Sequence, residues 1–178
     1  MTPLEIEQCL DSMTICVDTR EQESARAVKR YEMFGCPWER RTLDFGDYTY
    51  NFTLPNGYRL FSDDMTIKGD AVIERKMSLK ELSGNFTHSR KRFTEEFERA
   101  MAAGSSVYLM VEDATWEKIL AGHYKTKFRP EAYIASMTAW MARYNVKPIF
   151  CRQETSGRII KEILYRELKE RLECGRYG

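Results

Sequence analysis

The chain has 178 residues, of which 43% are hydrophobic and 31% are charged, a composition typical of one ordinary globular domain. No stretch reaches the ~18 consecutive apolar residues of a membrane-spanning helix, so no membrane partner is expected. The 28 basic and 27 acidic residues leave a net charge of +1. Overall charge therefore gives no argument for nucleic-acid binding, and any such claim depends on local clusters.

Cysteine usage indicates a reducing compartment. The N-terminal sequence MTPLEIEQCLDSM carries acids and no basic region, so we expect no signal peptide and a cytoplasmic location. The cysteines are odd in number and never spaced as CxxC; they are Cys9, Cys16, Cys36, Cys151 and Cys174. We expect reduced thiols, with Cys16 and Cys151 as small core residues and not as zinc ligands or a disulfide framework.

Short apolar runs separated by turn signals fill the first half of the chain. Residues 1–11 are expected to form a loosely attached lead-in, and Gly35 is expected to end a helix that starts at Ser24. The turn sequence Pro55-Asn56-Gly57 predicts a hairpin. The predicted strands are Met13–Val17, Trp38–Leu43, Tyr48–Thr53, Tyr58–Phe61 and a run that ends in Lys76.

Helices and strands alternate in the second half. Ser78 begins a short helical turn that Gly84-Asn85 is expected to break, and Pro148 indicates that the last strand lies at a sheet edge. The other predicted elements are helices over Thr87–Ala103 and Ala114–Leu120, helices opened by Pro130 and by Thr155-Ser156, and strands over Ser106–Val111 and Val146–Cys151. This order predicts an α/β fold in one domain over residues 1–178, with its core at about 13–173 and a mixed central sheet flanked by helices.

The most unusual stretch is Val72-Ile73-Glu74-Arg75-Lys76, where an apolar strand runs into charges without a turn residue. Strand side chains alternate, so Glu74 and Lys76 share one face while Arg75 lies on the other. A carboxylate beside an ammonium on a rigid strand end can hold a divalent metal and orient an attacking water, as nuclease chemistry requires. The alternative is a solvated strand end followed by a helix.

Carboxylates follow or precede three separate strands: Asp18, Asp47 and Glu74. Ligands of open α/β sheets collect outside strand ends, which favours convergence of these groups. Two carboxylates, a backbone carbonyl and waters would suit Mg²⁺, and Lys76 could position or deprotonate water or stabilise a pentavalent phosphate. The alternatives are a helix N-cap for Asp18 and a plain turn for Gly46-Asp47.

Three motifs carry a resemblance to a known family. The sequences Val17-Asp18-Thr19-Arg20-Glu21, Leu43-Asp44-Phe45-Gly46-Asp47-Tyr48 and Val72-Ile73-Glu74-Arg75-Lys76 together resemble the XPF/Hef-type nuclease domain of the PD-(D/E)XK superfamily. The signature of that family is GD, a variable stretch, ERK, three residues and D. The similarity continues through residues 84–90 and 107–112 and covers roughly residues 14–172. It implies a restriction-endonuclease-like fold and a metal-dependent DNA endonuclease.

The resemblance also implies roles for matching positions. Asp47 and Glu74 would bind Mg²⁺ (or Mn²⁺), Lys76 would be the catalytic lysine, and Asp18 would lie close to the metal. Arginines that support the site or contact phosphate would be Arg20, Arg75 and Arg90. Asp18 and Arg75 join Asp47, Glu74 and Lys76 in the catalytic set that the resemblance implies.

The chain departs from the family signature at one position. The family places Asp four positions after the lysine of the motif, where this chain has Lys80. A one-residue insertion around Met77 would give the acidic role to Glu81. Without that insertion, the acidic role is missing.

Two local clusters are candidates for phosphate contacts. The first, His88-Ser89-Arg90-Lys91-Arg92, opens a helix, where backbone amides also favour an anion. The second, residues 122–129, interleaves Lys125, Lys127 and Arg129 with aromatic residues, which suits backbone contacts together with stacking on an unpaired base. The alternatives are an exposed helix face, because Glu95, Glu96 and Glu98 follow the first cluster, and an ordinary solvated loop for the second.

Together with the resemblance, these observations favour a DNA endonuclease; specificity for flap, fork or junction DNA and a role in repair or recombination are what the resemblance implies. One alternative is a catalytically inactive DNA-binding or scaffold module on the same fold. A structural subunit that binds no nucleic acid is a third hypothesis, which the nearly neutral net charge favours. By resemblance, the C-terminal half could also form a homodimer; simple packing of its helices on the sheet is the alternative.

Overall fold

The strands form one mixed sheet in a computed structural model that describes residues 1–177, so Gly178, the end of the predicted domain, lies outside it. The strands are β1 (Thr14–Asp18), β2 (Trp38–Arg41), β3 (Tyr48–Asn51), β4 (Ala71–Lys76), β5 (Ser106–Glu112) and β6 (Lys147–Cys151). Their order is β2-β1-β3-β4-β5-β6. Strand β3 is antiparallel to both neighbours and the other pairs are parallel, which confirms the predicted mixed sheet.

Helices cover both faces of the sheet. They are α1 (Pro3–Asp11), α2 (Ala25–Glu32), α3 (Leu79–Phe86), α4 (Arg90–Ala102), α5 (Trp116–Leu120), α6 (Pro130–Tyr144) and α7 (Ser156–Glu173). One core lies between the sheet and α1, α2 and α7, and a second core lies between the sheet and α3–α6. In residues 1–177, every helix is too short or too polar to cross a membrane.

Local sequence signals set many of these boundaries. The hydroxyls of Ser24, Ser78 and Thr115 accept backbone N–H bonds as the N-caps of α2, α3 and α5. Pro130 opens α6, and the proline-containing strand β6 lies at the sheet edge as predicted, because a missing N–H is tolerated there.

The structure differs from the sequence-based expectation at the N-terminus. Residues 3–11 are not a loose lead-in but form α1, with a capping box between Thr2 and Glu5. Cys9 is buried in the core that α1 shares with α7. The short apolar stripe of this helix was too weak to predict without its packing partner.

Two further expectations are wrong. Residues 58–61 form no strand; one isolated bridge joins Thr53 and Arg59, and the Asn51 side chain instead holds Phe61 by two backbone bonds of 2.9 and 3.0 Å. Helix α3 does not break at Gly84-Asn85 but continues to Phe86. Burial of the apolar side of α3 outweighs the ~1 kcal/mol that a glycine costs in a helix.

The cysteines of the chain are free thiols. Cys16 is buried, as predicted, whereas Cys151 on the edge strand is only partly buried.

Candidate active site

Three of the predicted acids meet at one end of the central strands. Strands β1 and β4 end there, and the antiparallel strand β3 begins there, so Asp18, Asp47 and Glu74 are brought together. The Asp18 amide donates to the Asp47 carbonyl at 2.9 Å, and the Asp47 amide donates to the Ile73 carbonyl at 2.8 Å. The Asp47 carboxylate itself accepts the Arg75 amide at 2.7 Å, which fixes it beside the end of β4.

Gly46 allows the backbone to deliver Asp47 to this position. Its φ is +74°, a left-handed conformation that favours glycine. A Cβ atom at Gly46 would also lie 3.0 Å from the Cβ of Val72 on β4. The turn before β3 therefore requires glycine both for its conformation and for its close approach to β4.

Glu74 and Lys76 share the face of β4 that is covered by α3 and α4. Both are largely buried, at 5% and 8% exposure, so the alternative of a solvated strand end is wrong. The Lys76 Nζ lies 2.5 Å from Glu74 Oε1 and 4.7 Å from the ring centroid of Phe93. This geometry holds the ammonium beside the carboxylates and away from bulk solvent.

The electrostatics of Asp47 and Glu74 favour the binding of a cation. Burial, followed by repulsion from Asp47, raises the pKa of Glu74 to about 8. Burial also raises the pKa of Asp47 to about 6, although attraction to Lys76 opposes this shift. Burial alone would lower the pKa of Lys76, but attraction to Glu74 and Asp47 outweighs it and raises that pKa.

The donor set fits Mg²⁺ or Mn²⁺. Two adjacent carboxylates that repel each other supply the hard oxygen ligands these ions prefer. In the part of the chain that the structure describes, no group of three or more His, Cys, Asp or Glu residues is arranged to hold a metal. Asp47 and Glu74 would therefore share the ion with backbone carbonyl and water oxygens, which is usual for Mg²⁺.

Asp18 is turned toward Arg20. Its carboxylate is 1% exposed and accepts Arg20 Nε at 2.9 Å and Nη2 at 2.6 Å. It does not cap α2, whose N-cap is Ser24. The Arg20 side chain is 63% exposed and also donates to the Leu43 carbonyl at 3.0 Å. Asp18 thus fixes Arg20 at the rim of the site, where the guanidinium can meet a phosphate.

Arg75 lies on the opposite face of β4, in a buried ionic network. Its Nη2 donates to Glu21 Oε1 at 2.9 Å and its Nη1 to Glu112 Oε2 at 3.4 Å. Arg30 of α2 reaches the same two acids at 3.3 Å each, and the Tyr48 hydroxyl donates to Glu21 at 3.0 Å. This arrangement argues against the predicted phosphate contact, because the guanidinium of Arg75 is engaged away from the catalytic face.

Sequence reasoning missed Arg30 and Glu112 as parts of this network. Two signals were available. Arg30 falls at helical spacing with Ala27 and Tyr31, both buried, and Glu112 follows a run of apolar strand residues just as Glu74 does.

Glu96 of α4 is a further acid beside the site. It was expected on an exposed helix face, but it is partly buried and accepts the Gly46 amide at 3.0 Å. Its charge contributes to the raised pKa of Glu74, after burial and the larger effect of Asp47. The signal was its position between Phe93 and Ala100 on the buried stripe of α4.

Glu81 has a different role from the one considered for it. Its carboxylate accepts the Met77 amide at 2.7 Å, and its own amide donates to the Ser78 hydroxyl at 3.3 Å. It therefore closes the N-terminus of α3. Its charge also acts on Lys76, as the smallest of the effects that raise the pKa of that residue.

The two predicted basic clusters come close together. His88 lines one groove together with Lys125 and Lys127, whereas Arg90, Lys91 and Arg92 are exposed at the start of α4. Arg129 is exposed and pairs with Glu131 at 3.4 Å. The Phe128 ring stacks on Phe86 at a centroid distance of 5.7 Å, so it is occupied within the core and the predicted stacking on a base is not supported.

Comparisons with known proteins identify the family and the fold of the chain. The model of the ERCC4 domain family matches residues 17–163. XPF from Aeropyrum pernix gives a TM-score of 0.58 at 18% identity, over 86% of this chain and 61% of that chain. XPF from Aeropyrum pernix in complex with DNA gives 0.60 at 19% identity, over 89% and 66%. No curated protein matches. The chain spans just under two thirds of these solved chains, and the likeness confirms the predicted fold class.

Proposed function

Since this chain belongs to the ERCC4 domain family, we propose that it is a metal-dependent DNA endonuclease that hydrolyses phosphodiester bonds. The observation that carries the proposal is the convergence of Asp47, Glu74 and Lys76 at one end of the central strands β3 and β4. Burial and mutual repulsion of the two carboxylates make a cation favourable there. The rigid strand ends hold these groups in place before substrate arrives.

Each side chain at the site has a different role in this mechanism. Bound Mg²⁺ or Mn²⁺ would polarise the phosphate and lower the pKa of a coordinated water. Asp47 and Glu74 would hold the ion. The raised pKa of Lys76 keeps its ammonium charged, which favours positioning water and stabilising negative charge on the phosphate over deprotonating water. Arg20, fixed by Asp18, contacts a flanking phosphate.

The finer substrate assignment rests on the family. Flap, fork or junction DNA is the proposed substrate, in repair or recombination, and the Aeropyrum pernix XPF structure in complex with DNA supports DNA as the partner. Arg90, Lys91 and Arg92 are proposed DNA contacts. A homodimer through the C-terminal half stays a prediction; a groove of about 450 Å³ along α7 has an apolar lining that includes Ile159 and Ile163.

The rival function is an inactive DNA-binding module on the same fold. Two observations favour catalysis over this rival. Asp47, Glu74 and Lys76 are all present, and their charges face one another across a short distance. A scaffold would have no need to bury two repelling carboxylates, which reduces stability.

Cleavage of labelled DNA tests the proposal directly. Single-stranded, duplex, flap and four-way-junction substrates are incubated with Mg²⁺, Mn²⁺ or EDTA, using the wild-type chain, Asp47→Asn and Lys76→Met. Glu98→Gln, an exposed acid on α4, serves as the matched control. Metal-dependent cutting that both site variants lose, and the control retains, is the expected result. Binding without cutting in either metal would instead favour the inactive module.

A further inference from the structure

Helix α3 has two chemically different sides. Leu79, Leu82 and Phe86 are buried against the sheet and α6. A neighbouring stripe, at spacing i, i+3, i+4 and i+7, consists of Lys80, the largely buried Ser83, Gly84 and the C-cap residue Thr87. This second stripe forms one wall of a groove of about 390 Å³.

The other wall is residues 125–128, which lie between α5 and α6, and His88 also lines the groove. This wall is held in place by its own contacts. The Tyr124 hydroxyl donates to the Phe128 carbonyl at 2.8 Å, the Phe128 amide donates to the Thr126 hydroxyl at 3.0 Å, and the Phe128 ring stacks on Phe86. The groove is therefore formed in the chain without a ligand.

The charge of the groove is entirely positive. Its lining includes Lys80, Lys125 and Lys127 and contains no acidic residue. Within residues 1–177, none of these ammonium groups has a carboxylate within 4.0 Å, whereas Lys91 and Arg129 nearby are paired with acids. Lysines that converge without counter-ions are arranged for an external anion.

We propose that this groove binds the phosphates of an unpaired nucleic-acid strand that extends from the active site. The inference rests on the proposed function, because it assigns the path of the substrate. Lys80 links the two places: it is the second residue of α3, which begins three positions after Lys76. Lys80 also occupies the position at which the family signature has an acid. A phosphate contact gives this lysine a role at that position.

The charges on both walls of the groove suit a single strand and its backbone. Lys80 lies on one wall and Lys125 and Lys127 lie on the other, so a strand between the walls is contacted on both sides. The aromatic ring at the groove is stacked internally. Binding should therefore depend on phosphate charge and not on base identity.

Binding measured by fluorescence anisotropy in EDTA tests this proposal without cleavage. The probes are a labelled blunt duplex and the same duplex carrying an oligothymidine arm. The variant is Lys80→Gln/Lys125→Gln/Lys127→Gln. The control is Arg143→Gln/Arg158→Gln, which removes exposed arginines at the far end of α6 and on α7.

The expected result is a wild-type preference for the armed duplex that the triple variant loses and the control keeps. Each ammonium–phosphate contact on a single strand contributes a slope of about 0.7 in log affinity against log salt. Between about 50 and 200 mM salt, the wild-type chain should therefore lose about 20-fold more affinity for the armed duplex than the triple variant loses. Equal loss on blunt and armed duplexes, or no wild-type preference, would overturn the proposal.

A steric variant tests the groove without removing charge. A Cβ atom at Gly84 meets nothing within 4 Å, so Gly84→Leu fills the groove and not the core. It should abolish the preference for the armed duplex in the binding assay while the thermal unfolding midpoint is retained. If the wild-type chain cuts DNA but shows no preference for the armed duplex, the groove proposal alone is refuted. If it binds the armed duplex preferentially but never cuts DNA, the proposed nuclease function alone is refuted.

Discussion

The two faces of β4 differ in how their charged side chains are balanced. On the catalytic face, Glu74 and Asp47 repel each other, and one ammonium, that of Lys76, serves both. On the other face, Arg75 and Arg30 together contact Glu21 and Glu112, so that two positive and two negative groups are matched. The first face is arranged to recruit a cation, and the second is arranged to hold the strand in place. Of three consecutive residues, Glu74 and Lys76 thus lie at the candidate site, and Arg75 supports the structure.

The largest effect is expected from Asp47→Asn on the catalytic face. The asparagine can still accept the Arg75 amide, but it cannot serve as an anionic ligand. Cleavage should fall by about 10³-fold. The metal-free chain should become more stable at neutral pH, because the repulsion that raises the pKa of Glu74 is removed. Single-turnover cleavage and urea unfolding in EDTA measure the two effects, and a destabilised variant would contradict the comparison.

Arg30→Met tests the opposite face. It leaves Glu112, which is 1% exposed, with only the 3.4 Å contact to Arg75. The free energy of unfolding should fall by about 3–5 kcal/mol, since one partner of a buried pair is removed. Lys29→Met, an exposed change on the same helix, should alter it by less than about 0.5 kcal/mol. Similar unfolding curves for the two variants would show that the network contributes no stability.

The pH dependence of stability is the next test, and it reports the repelling carboxyls of the catalytic face. A carboxyl whose folded-state pKa is raised keeps a proton that the unfolded chain has lost, so its contribution to stability decreases as pH rises. For Glu74 the window runs from the ordinary value of 4.5 to about 8. The metal-free chain should lose on the order of a few kcal/mol across this range.

Asp47→Asn should flatten that dependence and shift it to lower pH, because repulsion from Asp47 is part of the raised pKa of Glu74. Urea unfolding midpoints measured in EDTA at several pH values report it. A wild-type chain whose stability is constant from pH 4.5 to 8 would be inconsistent with a repelling carboxyl pair.

The smallest effect is expected at Glu96, which borders the catalytic face. Glu96→Gln can still accept the Gly46 amide but removes a charge that favours the metal. The Mg²⁺ concentration for half-maximal cleavage should rise about 3- to 10-fold, with little change in the saturated rate. Glu95→Gln, exposed and one position earlier, is the control. A lower saturated rate with an unchanged Mg²⁺ requirement would argue against an electrostatic role.

Much of the framework followed from local patterns. The alternation of predicted strands and helices indicated an α/β fold. Pro148 indicated the edge position of β6, and Pro130 indicated the start of α6. Strand periodicity and the Gly46 turn drew attention to Asp47, Glu74 and Lys76, and the resemblance to the XPF/Hef-type nuclease domain supplied their predicted roles. The weak points were short elements, such as α1 and residues 58–61, whose structure depends on distant partners.

By itself, the sequence determined which residues of β4 share a face, because side-chain alternation is a property of any strand. Only the tertiary structure decided what each face meets. It placed Arg30 and Glu112 against Arg75 and Glu96 against the Gly46 turn, and it joined α3 to residues 125–128 in one basic groove. These partners come from elements far apart along the chain, and their meeting depends on how the helices pack on the sheet, which no local pattern encodes.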